Sequence, residues 1–189
     1  MHVGPARSLE WRSSQRGIGR RPPRVGLIGV SIAAMKVHTD AYGVLEFEAN
    51  GDIFESQVAL GEQTVAIEIE GAEGEIAGVV GRLSEFVASF RAALDANLLD
   101  ADADCGVAMY LEHLLEEANP QKLKDLCLGK TPTSEMLFGL LVPYDIRFNL
   151  EEPDAYCQFD VGIANDVSDY LVCVTLDSDC EVQDVSVES

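Results

Sequence analysis

The sequence predicts an α+β fold: a mostly antiparallel sheet, three strands toward the N-terminus and four toward the C-terminus, with a helical block inserted between them. Three observations predict it. Apolar and charged residues alternate with period two over residues 45–69 and again over 146–187. Apolar residues at helical spacing fill the middle of the chain, and Asn, Gly and Asp cluster between the alternating segments. Strands grouped at both ends around helices argue against regular β-α-β alternation.

The first strand begins near Tyr42, where Leu45, Phe47 and Ala49 alternate with Val44, Glu46 and Glu48. Asn50-Gly51-Asp52 is a hairpin turn, and a second strand follows over residues 53–60. After Gly61-Glu62-Gln63 a third strand alternates Val65, Ile67 and Ile69 with Ala66, Glu68 and Glu70, giving a meander with one charged face. Residues 71–78 read as a Gly/Glu-rich loop, with Gly78, Gly81 and Arg82 as its flexible junction to a helix. That helix carries Leu83, Phe86, Val87, Phe90 and Leu94 on one face. A second helix carries Val107, Leu111, Leu114 and Leu115, with Asp100, Asp102 or Asp104 as its cap and Asn119-Pro120 as its end. A short third helix over 121–128 stops at Gly129, and Thr131-Pro132 caps and starts a fourth through Met136, Leu137 and Leu140. Pro143 closes the helical block. Four strands follow: one with Ile146, Phe148 and Leu150, one with Cys157, Phe159, Val161 and Ile163, an apolar one over 170–176, and a last over 182–187 after the turn Asp177-Ser178-Asp179.

A chain of 189 residues that is 47% hydrophobic suits one packed domain. Its formal net charge of -20 is unevenly spread: residues 1–34 hold six Arg and one Glu, whereas residues 35–189 hold seven Lys or Arg against 32 Asp or Glu. The opening stretch, with Arg12, Arg16, Arg20, Arg21 and Arg24, Pro22-Pro23 and the only Trp, Trp11, reads as a disordered basic leader or as sequence upstream of a true start at Met35. Its apolar run over 25–34 is too short to span a bilayer, which takes about 20 residues, but suffices for a signal segment. Two details count against export: a long charged region precedes the run, and Pro-Pro follows Arg20-Arg21. Residues 35–189 form the acidic domain.

That acid excludes direct binding of nucleic acid or anionic membranes, which are bound by neutralising phosphates with Lys and Arg. It attracts a basic protein, or cations, over roughly 8 Å of Debye screening length. Five Cys, at 105, 127, 157, 173 and 180, include no C-x-x-C pair, so no zinc-knuckle or thioredoxin-like spacing is present. Reduced thiols used as small hydrophobes in a cytoplasmic protein are the simplest reading.

Two clusters carry metal-ligating residue types. Asp100, Asp102 and Asp104 have the rhythm of a calcium loop, but Cys105 stands where the turn glycine belongs and Leu111 where the bidentate Glu belongs. Glu112, His113, Glu116 and Glu117 lie on one helix at a spacing that can hold a metal, yet a matching second helix is wanting and the other body histidine, His38, lies near the domain start. Both clusters therefore read as helix caps and a solvated face. The chain has no G-x-S-x-G, no phosphate-cradling glycine loop and no G-x-G-x-x-G. No catalytic, cofactor or metal residue is assigned.

The C-terminal residues 168–189, a strand from Tyr170, the acidic turn at Asp177, a last strand from Val182 and the ending Glu188-Ser189, resemble the close of a bacterial family of unknown function, the one numbered two thousand and four. Asn97-Leu98, then Tyr110-Leu111-Glu112-His113, and residues 141–148 are similar too, so the likeness spans residues 42–189 and departs from the family in the basic leader. The resemblance implies a fold, with no catalytic residues to carry over. By analogy with small acidic bacterial proteins that serve as immunity partners of secreted toxins, the expected function is a non-enzymatic acidic protein that masks a basic protein partner. The alternatives are a metal-assisted enzyme using Asp100, Asp102, Asp104 and His113, and a purely structural role in which the acid serves solubility alone.

Overall fold

The computed structural model describes residues 34–99, 106–163 and 167–189. They hold eight strands: β1 (Ala34–Thr39), β2 (Gly43–Asn50), β3 (Ile53–Leu60), β4 (Gln63–Glu70), β5 (Leu141–Asn149), β6 (Cys157–Ile163), β7 (Leu171–Leu176) and β8 (Val182–Glu188). Between β4 and β5 lie five helices, α1 (Glu73–Gly81), α2 (Leu83–Leu99), α3 (Val107–Glu117), α4 (Pro120–Leu126) and α5 (Ser134–Phe138). The strands form one sheet in chain order, β1 to β8. Every neighbouring pair is antiparallel except β4–β5, which is parallel. Two antiparallel meanders thus meet along a parallel seam, and a parallel connection needs a long crossover, which the helices supply.

The N-terminal meander has four strands, not three. β1 escaped the sequence reading because Val37 is its one buried residue, too little alternation to register. It pairs with β2 over its whole length, from Ala34 opposite Glu48 to Thr39 opposite Gly43. The turn between β2 and β3 is as read: the loop passes through Gly51 at φ 73°, a backbone that a side chain would strain.

A second correction concerns residues 71–78, which read as a loop and supply most of α1. Ile76, Val79 and Val80 are buried at helical spacing, and three glycines had masked the pattern. At α3 the N-cap is Gly106 and not an aspartate; the Val107 amide donates to Asn97 Oδ1 at 2.8 Å, so the cap comes from the end of α2. α4 runs over Pro120–Leu126, and Asn119, read only as the end of the preceding helix, is its N-cap, the side chain accepting from the Gln121 and Lys122 amides. α5 is capped by Thr133, not Thr131, its hydroxyl accepting from the Met136 amide at 3.3 Å. Pro143 lies inside β5 rather than before it. β4 pairs with β5 only from Asp145 onward, and the register with β6 shifts between Pro143 and Asp145, so the missing N–H falls where the strand has one neighbour and a bulge.

The core lies between the helices and one face of the sheet. α2 buries Leu83, Phe86, Val87, Phe90 and Leu94, the face read from the sequence, together with Ala93. Phe90 stacks on Phe159 of β6 with ring centroids 4.4 Å apart, and Phe86 meets Phe148 of β5 edge-on at 5.1 Å. From the strands come Phe47, Phe54, Val65, Ile67, Ile69, Ile146, Val172 and Val174. Among the described residues no polar or charged side chain is buried in this core, and no helix is long and apolar enough to cross a membrane.

Candidate functional site: the acidic face of the sheet

Strand side chains alternate, so every residue flanking a buried one points to the opposite face of the sheet. On β2, β3 and β4 the sequence puts Glu there. Register then aligns them: Glu48 stands opposite Glu55, and Glu55 opposite Glu68. Three carboxylates therefore sit abreast on adjacent strands about 4.8 Å apart, an arrangement that costs stability because like charges directly opposite repel. Glu46 and Glu70 lie one step along β2 and β4, and Glu46 accepts from Lys36 of β1.

Across the seam, Glu68 is abreast of Arg147 on β5. The Arg147 guanidinium pairs through Nη2 with Asp160 of β6, whose other oxygen accepts from Gln158 Nε2 at 3.0 Å. Asp145 is served less well. Its Oδ2 lies 3.6 Å from Arg147 Nε, beyond hydrogen-bond reach, and that Nε is buried with no hydrogen-bond partner. Burial pushes the Asp145 carboxyl up to about 6, Arg147 opposes this, and the charges of Asp160 and Glu68 push it further up. Among the described residues the cations on this face, Lys36 and Arg147, are thus already engaged by Glu46 and Asp160. Glu48, Glu55 and Glu70 face no cation among the described residues, while Glu68 and Asp145 have only Arg147 near them, whose close partner is Asp160.

The candidate metal residues that are described are not brought together. Asp100, Asp102 and Asp104 lie outside the described residues. His113 packs edge-on against Tyr170 at 4.7 Å, at the rim of an open hollow of about 340 Å³ lined also by Glu117, Ser168 and Asp169. Glu112, Glu116 and Glu117 are exposed on α3, and His38 is exposed on the edge strand β1. Among the described residues no group of three or more His, Cys, Asp or Glu is placed to hold a metal ion. A second open hollow, of about 360 Å³, lies between Met35, Gly51, Phe54 and the start of α1, with Asp52 and Glu73 as its charged groups.

Cys127, Cys157, Cys173 and Cys180 are free thiols. Burial holds Cys157 well above the ordinary thiol range and pushes Cys173 up to about 12, so neither is a nucleophile at neutral pH. Cys180 sits in the β7–β8 turn at φ 66° and accepts from Arg82 Nη2 at 3.2 Å, while Arg82 Nη1 donates to the Ser178 carbonyl and so ties the junction of α1 and α2 to that turn.

Sequence reasoning found the charged face of the first meander but missed Asp145, Arg147 and Asp160. The signal was there, in charged residues interleaved with Ile146, Phe148, Phe159 and Val161, yet which of them meet depends on the strand register. Comparison of the chain with protein-family models, with curated proteins and with solved structures returned no match.

Proposed function

We propose that this is a non-enzymatic binding protein whose acidic sheet face masks a basic protein. The observation that supports the reading is the row Glu48–Glu55–Glu68, held in register across three strands; among the described residues none of the three has an ion pair, and Arg147, abreast of Glu68, is engaged by Asp160. A fold that needs only solubility spreads its charges; aligned carboxylates raise the energy of the free protein, and a cationic partner relieves it on binding. Nucleic acid and anionic membranes are repelled by the same face. A cytoplasmic protein that neutralises a basic toxin, as immunity partners do, is the biological form this reading takes.

The test is kinetic. Basic proteins retained by the full chain at low ionic strength are measured individually for association rate against salt, with wild type and with the triple variant Glu48→Gln, Glu55→Gln, Glu68→Gln. The rate should fall steeply with salt for wild type and much less for the variant, because charge steers encounter while apolar contacts set dissociation. Rates indifferent to both salt and substitution would overturn the proposal.

A further inference from the structure

Asp145 marks one end of the parallel seam. It is the first residue of β5 to pair with β4, opposite Ala66, and it follows the bulge after Pro143. The residues before it, Leu141, Val142 and Pro143, pair with β6 alone. The far end of the seam is tied further, because the Leu150 amide donates to the Glu70 carbonyl at 3.0 Å. Ladders open most easily from a loose end, so the seam opens first at Ala66 and Asp145.

Like charges meet at that same end. Register sets Asp145 directly opposite Asp160 on β6, on one face and with Cβ atoms about 5 Å apart, and puts Glu68 one step along β4 on that face. The charged groups acting on Asp145 from the strands around it are thus Glu68 of β4, Arg147 of β5 and Asp160 of β6. Cys173 of β7, abreast of Asp160, is a thiol that burial pushes up to about 12 and is uncharged here. Three carboxylates share one guanidinium, and Asp160 holds it through Nη2, while the buried Nε stops 3.6 Å short of Asp145 without a hydrogen-bond partner. An ionised Asp145 therefore repels Asp160 across the ladder, whereas a protonated one is neutral and has an O–H to donate toward it. We propose that Asp145 is a proton-operated latch on the parallel seam: protonated, it leaves the β4–β5 ladder closed to its end, and ionised, it loosens that end while the rest of the sheet stays paired. Burial, opposed by Arg147 and reinforced by Asp160 and Glu68, pushes its carboxyl up to about 6. The raised value fixes the sign: the latch tightens as pH falls through about 6 and loosens toward neutral pH. The device is independent of whether the acidic face binds a partner.

Two measurements on the full chain test it. Carboxyl resonances followed by NMR from about pH 3 to about pH 8 should place the Asp145 transition near about 6. Amide hydrogen exchange, each rate divided by the intrinsic rate at the same pH, reads the ladder itself. Protection of residues 66–68 and 145–147 should be at least about threefold higher at about pH 5 than at about pH 7.5, with Phe159 and Val174 in the neighbouring strands unchanged. Asp145→Asn, neutral throughout, should hold the higher protection at both pH values. Asp160→Asn removes the facing charge and frees Arg147, so it should move the Asp145 transition down by at least about one unit and shrink the difference. Glu116→Gln on α3 should change neither reading. An Asp145 transition below about pH 4.5, protection at the seam end indifferent to pH, or a pH effect that survives Asp145→Asn would overturn the latch. A change of equal size across all strands would overturn it as well, since the opening would then be global.

Discussion

Replacing Glu55 by Lys should stabilise this protein. Glu55 is exposed and stands between Glu48 on β2 and Glu68 on β4, so one substitution turns two like-charge cross-strand neighbours into two opposite-charge ones. Each cross-strand charge pair is worth roughly 0.2–1 kcal/mol, so two pairs reversed together give about 1 to 2 kcal/mol. Glu and Lys are both weak strand formers, so propensity contributes little to the difference. The measurement is urea unfolding: the midpoint should rise with an unchanged slope, because the surface exposed on unfolding is the same. Salt separates the mechanism from other sources of gain. The increase should be largest near about 0.02 M and mostly gone near about 1 M, where the screening length falls to about 3 Å. Since any added Lys relieves the acidity of the whole domain, Asp95→Lys on the exposed side of α2 is the matched control, and its effect should stay within about 0.5 kcal/mol. A gain from Glu55→Lys no larger than that control, or a gain indifferent to salt, would refute the repulsive row.

Phe90→Ala should cost about 3 to 5 kcal/mol, since Phe90 is 3% exposed and stacked on Phe159, and a loss under about 1 kcal/mol would show that α2 packs by another face. Gly78→Ala, in the exposed middle of α1 with open space where a Cβ would go, should add about 0.5 to 1 kcal/mol in thermal or urea unfolding. Asp145 binds its proton more tightly folded than unfolded, so ionising it as pH rises from about 4 through about 6 removes stability. Relative to wild type, Asp145→Asn should therefore gain about 1 kcal/mol above that window and lose the gain below it, a figure kept small by solvent screening of a side chain 36% exposed; a flat difference curve would contradict the assignment. Calorimetry with calcium, magnesium and zinc should give weak, non-stoichiometric heats; a one-to-one micromolar site lost on Asp102→Asn or His113→Ala would revive the metal-assisted alternative.

What the sequence made legible was whatever local periodicity encodes. The buried face of α2 could be read because Leu83, Phe86, Val87, Phe90 and Leu94 repeat the helical period without interruption. The turn at Gly51 could be read because few residues tolerate its backbone. α1 was hidden because Gly74, Gly78 and Gly81 carry no pattern, and β1 because a short edge strand needs little apolar content to pair. The site sits at the far end of that scale. That Glu48, Glu55 and Glu68 point one way follows from alternation; that they stand abreast, and that Arg147 lies closer to Asp160 than to Asp145, follows from registers set by turn lengths and by the bulge after Pro143.

The parallel seam has a consequence for how the chain folds. Each meander is built from neighbours in sequence, and hairpins of that kind form within about 1–10 μs. β4 and β5 are different: Ala66 pairs with Asp145, so the seam closes only after the whole helical segment has been gathered, and long loops delay closure. Until then the apolar faces of both half-sheets lack a common layer to pack against, and β4 offers an unpaired edge with glutamates on one side and Val65, Ile67 and Ile69 on the other. The charges that raise the energy of the finished sheet face thereby act earlier as gatekeepers, keeping two such half-folded chains from joining edge to edge while the helices dock.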